Sequence, residues 1–263
     1  MKAREIAEVL FGFERKNEFN RGRDGLKWGD PEKEVRKVVV SMFNTVEIIR
    51  KAMALDADMV IVHEPTFYAN SEPMDLENEV DRLKKELLDE SGITFYRNHD
   101  HSHDCFPDLI AKGTANLLDL DCETEFPGPL GLVRFHLKKP MTAEEIALHL
   151  QEKLHTRKLH IAGDRKTPCT EFSLFTGSPG QESITKELRR KETQILAGGE
   201  IYEWCHGEYT RDAKDLGFIK ALIPLGHVGS EWGGMKLICE MMQEKLPQIE
   251  FVYVEDGDPF CEV

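Results

Sequence analysis

Residues 38–68, VVVSMFNTVEIIRKAMALDADMVIVHEPTFY, decide the fold. With its basic lead-in, Lys37–Met42 is an apolar, β-branched run that suits a buried strand. Asn44 and Thr45 offer N-caps, after which Val46, Ile49, Ala52 and Met53 recur at helical spacing. Asp56-Ala57-Asp58 closes that helix, and Met59–Val62 is a second apolar run. Strand, helix, strand in so short a span predicts a βαβ unit, and such units imply parallel strands. The second strand leads straight into His63-Glu64-Pro65, which puts an imidazole and a carboxylate at its carboxyl end.

Working outward, a short helix is expected over Ile6–Phe13, then a charged, turn-rich stretch from Gly22 to Asp30. Downstream, a helix over Leu76–Leu88 precedes Gly92 and the strand-like Ile93–Tyr96. FPGPLG at 126–131 reads as the boundary to a second lobe. That lobe opens with strand Leu132–Leu137. A helix follows, with Ile146, Ala147, Leu150 and Leu154 on one face and Thr142 with Glu145 as a capping box. Strands near His160 and over Glu171–Thr176 and a helix over Ser183–Lys191 come next. The last segment holds strand Leu222–Leu225, helix Glu231–Leu246 and strand Ile249–Val254. The expected architecture is α/β with two lobes of mixed sheets, the first formed by 1–128 with 222–263 and the second inserted at 129–221.

The 263 residues are 40% hydrophobic and 31% charged, enough apolar material for a proper core. A formal net charge of −14, with both signs mixed along the chain, repels phosphate backbones, so nucleic acid is not an expected partner. Bound cations would offset part of that excess. Six scattered cysteines without a CxxC pair fit reduced thiols. No apolar leader opens the sequence and no stretch approaches the ~18 residues of a membrane span, so a cytoplasmic protein without a membrane partner is expected.

Three apolar strands each end in histidine and carboxylate. Beside His63-Glu64, Ile93–Tyr96 ends in Arg97-Asn98-His99-Asp100-His101-Ser102-His103-Asp104, and Leu222–Leu225 ends in Gly226-His227 with Glu231 four residues on. Ligands of open α/β sheets bind outside the carboxyl ends of strands. As three strands of one sheet, these would gather six or more donors around one point. In the middle cluster His99, His101 and His103 share a face if the chain is extended, whereas a helical turn keeps only His99 with His103. His227 and Glu231 stand one helical turn apart, and a glutamate there can bridge two cations. Taken singly, each group also fits a solvated loop or a helix-entry glutamate; their concurrence is the signal. Imidazole with carboxylate, and no cysteine nearby, favours Zn, Mn, Fe or Co. Asp100, His101 and Asp104 are partners of the ligands or alternatives to them. His136, His149, His155, His160 and His206 lack convergent partners.

Residues 38–68, DGLKWGD at 24–30, YRNHDHSH at 96–103, LAGGE at 196–200, LGHVGSEWGG at 225–234 and DGDPF at 256–260 together resemble the Nif-three-like family. These are the NGG-interacting-factor-three-like, dinuclear metal centre hexameric proteins, also called type-two homologues of GTP cyclohydrolase one. The resemblance spans nearly the whole chain and is weakest between Asp119 and Glu192. It implies two α/β lobes, a ring of six chains and two divalent ions per chain. Carried over, the metal ligands fall on His63, Glu64, His99, His103, His227 and Glu231. Two departures stand out: Glu64 replaces a family histidine, and His103 replaces an aspartate, with Asp104 one residue later. Glu200, where the family has Thr-Gly-Glu or Thr-Gly-Asp, is expected as a general base or as the partner of a ligand histidine. The implied activity is a metal-dependent hydrolase, similar to a type-two GTP cyclohydrolase, acting on a small molecule through a metal-activated water. A non-catalytic metal-binding regulatory or scaffold ring is the alternative.

Overall fold

A computed structural model of the chain describes residues 1–13, 22–128 and 131–261. They form two compact units, Met1–Leu109 with Met235–Asp256 and Ile110–Gly234 with Gly257–Val263. The chain opens with α1 (Ala3–Phe11), β1 (Gly25–Trp28), β2 (Lys37–Ser41), α2 (Val46–Ala54) and β3 (Met59–Val62). Next come α3 (Glu79–Ser91), β4 (Thr94–Arg97) and the short α4 (Asp100–Asp104). It continues through α5 (Leu109–Leu118), β5 (Cys122–Glu125), β6 (Leu132–Met141), α6 (Ala143–Lys153), β7 (Ala162–Gly163) and β8 (Cys169–Phe175). Then follow α7 (Gln181–Leu188), β9 (Ile195–Gly198), a π-helical turn over Glu203–Gly207 and α8 (Glu208–Asp215). β10 (Ala221–Pro224), α9 (His227–Lys245) and β11 (Glu250–Tyr253) complete it.

The first unit is built on a five-stranded sheet of order β1-β4-β3-β2-β11. β11, β2, β3 and β4 run parallel, as the βαβ pattern predicts, and β1 closes the edge antiparallel to β4. Every residue of β3 and β4 is buried, which is why β3, Met59–Val62, reads as a continuous apolar run rather than an alternating one; β4 buries Thr94 and Arg97 beside Phe95 and Tyr96. Val39, Val60, Val62 and Phe95 pack with Ile49 and Ala52 of α2 and Leu88 of α3. Each such side chain contributes roughly 1.5–3 kcal/mol on full burial. The Thr45 hydroxyl oxygen accepts the Ile48 N–H at 3.1 Å and starts α2. α3 begins three residues later than its apolar spacing predicts, because the Asn78 side chain accepts from Val80 and Asp81 and sets the cap there. Gly92, at φ +59°, ends it in the left-handed cap that favours glycine.

The second unit carries a six-stranded sheet of order β5-β6-β8-β9-β10-β7. β8, β9 and β10 are parallel; β5 with β6, β6 with β8, and β10 with β7 are antiparallel. Phe135, Phe172, Leu174, Ala197 and Ile223 pack with Ile146 and Leu150 of α6, while Phe175, Leu196 and Leu222 pack with Ile184 and Leu188 of α7. The capping box at Thr142 and Glu145 forms as its spacing predicts.

One expectation is corrected here. β10 does not join β3 and β4 in one sheet: Ala221–Pro224 pairs with Ile195–Gly198 on one side and Ala162–Gly163 on the other. On either side of the proline- and glycine-rich stretch, β5 and β6 pair in one sheet, Cys122 with Leu137 and Glu125 with Arg134. Residues 129 and 130 of that stretch lie outside the described residues. The units divide at Leu109/Ile110 and, inside α9, at Gly234/Met235. Among the described residues no helix is long and apolar enough to cross a membrane.

Candidate metal centre

In the first unit, parallel register sets Val62 beside Arg97, so the chain leaves β3 and β4 at neighbouring points with His63 and His99 at the exits. The segment after His99 turns helical, and the His103 N–H donates to the His99 carbonyl at 3.3 Å. That choice keeps His99 and His103 on one face and sends His101 elsewhere. The His101 ring packs against Phe11 with centroids 4.4 Å apart and planes tilted by 33°, and its Nδ1 contacts the Asp24 carboxylate. Nitrogen atoms of His63, His99 and His103 all lie within 4.8 Å of one another, with ring centroids 4.5, 5.1 and 4.9 Å apart.

Each of these rings turns Nδ1 to an oxygen. His63 Nδ1 lies 3.0 Å from the Asn98 carbonyl, His99 Nδ1 3.1 Å from Asp100 Oδ1, and His103 Nδ1 2.7 Å from Asp108 Oδ2. An acceptor at Nδ1 places the proton there and leaves the Nε2 lone pair for a metal; at His99, Arg23 Nη1 also stands 3.3 Å from both ring nitrogens, so the guanidinium shares that ring. Burial, reinforced by the neighbouring His99 and His103, holds the His63 imidazole well below the usual histidine range, so it is neutral at pH 7. Three close, oriented imidazoles, one of them buried as the neutral base, are a donor set that could hold a metal ion.

Asp24, 75 to 77 residues upstream, holds the turn that carries this set. Its carboxylate accepts the N–H groups of His99, Asp100 and His101 at 2.6, 3.0 and 2.7 Å. Burial alone would raise its pKa, but the bonds from His101 and these backbone groups keep it below the ordinary aspartate value. Glu64 is buried, with Oε2 3.4 Å from Nη2 of the fully buried Arg97, and Asp104 is buried as well. Neither Asp108, five residues past His103, nor the individual role of Asp24 within DGLKWGD is marked by the sequence pattern.

In the second unit, the parallel strands β8, β9 and β10 run out into Gly177, Gly199-Glu200 and Gly226-His227. α9 starts at His227 and brings Glu231 onto the same side one turn later. His227 Nε2 lies 3.1 Å from Glu231 Oε2, and its Nδ1 lies 2.7 Å from Glu200 Oε1. Glu200 thus makes the contact of a partner that orients an imidazole. Gly177 has φ +56°, and a Cβ there would stand 2.1 Å from Glu231 Oε1. At Gly199 a Cβ would meet the Gly177 carbonyl at 2.3 Å, so the glycines of LAGGE do bring backbone close to this cluster. Ser230 fastens the turn, accepting the Gly177 N–H at 2.9 Å and donating to the His227 carbonyl at 2.8 Å. Gly177 and Ser230 carry no signal in sequence beyond their residue types.

A family model described as Duf34/NIF3 (NGG1p interacting factor 3) matches residues 1–259. A GTP cyclohydrolase 1 type 2 homolog of Clostridium perfringens is 23% identical over 246 residues, 90% of this chain and 89% of its own. Among solved structures, protein ybgI superposes with a TM-score of 0.77 at 21% identity, covering 99% of this chain and all of its own. A Bacillus cereus protein related to NIF3 gives 0.74 at 16% identity, covering 100% and 99%. The two structures share the fold, and the family model, matched from the first residue to within four of the last, carries the assignment: the chain belongs to the Duf34/NIF3 family.

Proposed function

We propose that the chain binds two divalent metal ions and hydrolyses a small-molecule substrate with them. The observation that carries this is the set of three imidazoles, His63, His99 and His103, each with Nδ1 turned to an oxygen and its donor nitrogen within 4.8 Å of the others. One ion is assigned to these histidines and the other to His227 with Glu231, while Glu64 and Asp104 are further carboxylates for the first. Bound divalent ions supply Lewis acidity and lower the pKa of water, the usual means of hydrolysis at neutral pH. The protein's own part is positioning: Asn98, Asp100 and Asp108 orient the first three rings, and Glu200 orients His227. Relatives named GTP cyclohydrolase 1 type 2 homolog make nucleoside triphosphates, GTP first, the substrates to try.

The test is turnover by protein reconstituted with Zn, Mn, Fe or Co, against GTP and other nucleoside triphosphates. Turnover that disappears in His103→Ala supports the hydrolase, and its absence with every metal counts against it. One contact favours a metal-binding regulatory or scaffold role instead: Glu200, the carboxylate offered by sequence as a general base, lies 2.7 Å from His227 Nδ1. In either role the chain is proposed to work as a homo-oligomer, a closed ring of six.

A further inference from the structure

Beside the edge strand β7, on the face of the second sheet that carries Leu222, lies a cavity of about 650 Å³. That volume falls within the ~300–1,000 Å³ of small-molecule sites. Its floor is apolar: Leu222 and Pro224, two apart on β10, and Ile201. Its rim is cationic. Arg211 and Lys214 stand three apart on α8 and share a side of that helix, and Arg165 follows β7. Two carboxylates also line it, of which Glu208 is paired with Arg211 at 3.2 Å, and Glu203 is the other; Arg165 is paired at 3.3 Å with Glu144, which is not part of the lining. Three cations against two carboxylates is a local reversal in a chain whose formal charge is −14.

A second feature is independent of charge. The π-helical turn Glu203–Gly207 gives both its end residues to the cavity wall. Such turns are rare and occur frequently at functional sites, because the wider turn re-aims side chains at a cost in backbone regularity. None of the proposed metal ligands lines this cavity.

We propose that this cavity binds a phosphorylated small molecule with a flat apolar moiety. The phosphate, a dianion with three acceptor oxygens, engages Arg211, Lys214 and Arg165, and guanidinium matches its geometry. The apolar part lies on Leu222, Pro224 and Ile201. This site is separate from the metal centre.

The experiment titrates full-length, metal-loaded protein with 1-naphthyl phosphate by calorimetry. One saturable site per chain is expected, with weaker binding of inorganic phosphate or 1-naphthol alone. The double variant Arg211→Glu/Lys214→Glu, at exposed positions, should weaken binding on the order of tenfold or more. Arg36→Glu/Arg82→Glu applies the same charge change in the first unit and should leave the affinity unchanged. Binding should also persist in His103→Ala, which separates this site from the metal centre. Absence of saturable binding, equal weakening in both charge-reversed variants, or loss in His103→Ala overturns the proposal.

Discussion

Three histidines stand within five residues at 99–103, yet only His99 and His103 join His63. Their pairing was legible because a spacing of four survives both a helical and an extended chain; His101 needed the extended form, which the chain does not adopt. What holds the rings was not legible. Asp24 reaches the turn from 75 residues away, and Asp108 lies on the far side of it, so neither contact follows from local spacing. The roles differ, and single variants separate them. His101→Ala should keep the wild-type metal content, since its ring faces Phe11 and Asp24. Asp108→Ala should weaken metal binding about 10–100-fold by freeing His103 to rotate, measured by competition with a chelator while circular dichroism confirms the fold. Unchanged affinity in Asp108→Ala would remove the positioning role.

At the scale of elements, β2, β3, β4, β6, α2, α3 and α6 were found within a few residues because both faces of the central strands are covered and the caps are explicit, whereas β1, in a stretch read as turn-rich, and α5, β5, β9 and α8 were not. Sheet membership was not: Leu222–Leu225 reads the same whichever sheet takes it, and only pairing with Ile195–Gly198 decides. The loops after β8 and β9 depend on glycine for a reason no pattern states. Gly177→Ala combines a positive φ with a Cβ 2.1 Å from Glu231 Oε1, so it should cost about 1–3 kcal/mol of stability. Metal held by His227 and Glu231 should fall with it. The loop between β2 and α2 carries a pH dependence of its own. Asp256 accepts from the Ser41 hydroxyl and from the N–H groups of Met42 and Phe43, yet burial outweighs these bonds and pushes its pKa up to about 6. Its folded pKa lies above its unfolded one, so its stabilising contribution is complete below about pH 4 and is lost as pH rises through about 6. Asp256→Asn should flatten the wild-type fall in thermal stability across that window; parallel pH profiles for the two proteins would show that another group is responsible.

For the whole molecule, the ordered motifs made the family legible in a chain only 23% and 22% identical to two Clostridium relatives. One division between the compact units falls inside helix α9, at Gly234/Met235. For assembly, a ring of six is the proposal. Homo-oligomers favour closed point groups, and light scattering should return six times the 30.1 kDa chain mass; a monomer across a wide concentration range would end the ring. The claim on which everything else depends is the metal. Protein reconstituted with Zn, Mn, Fe or Co, desalted and analysed for elements should hold about two ions per chain, and His103→Ala and Glu231→Ala should each hold about one fewer. Wild-type protein that retains no metal, or both variants retaining as much as wild type, would contradict it.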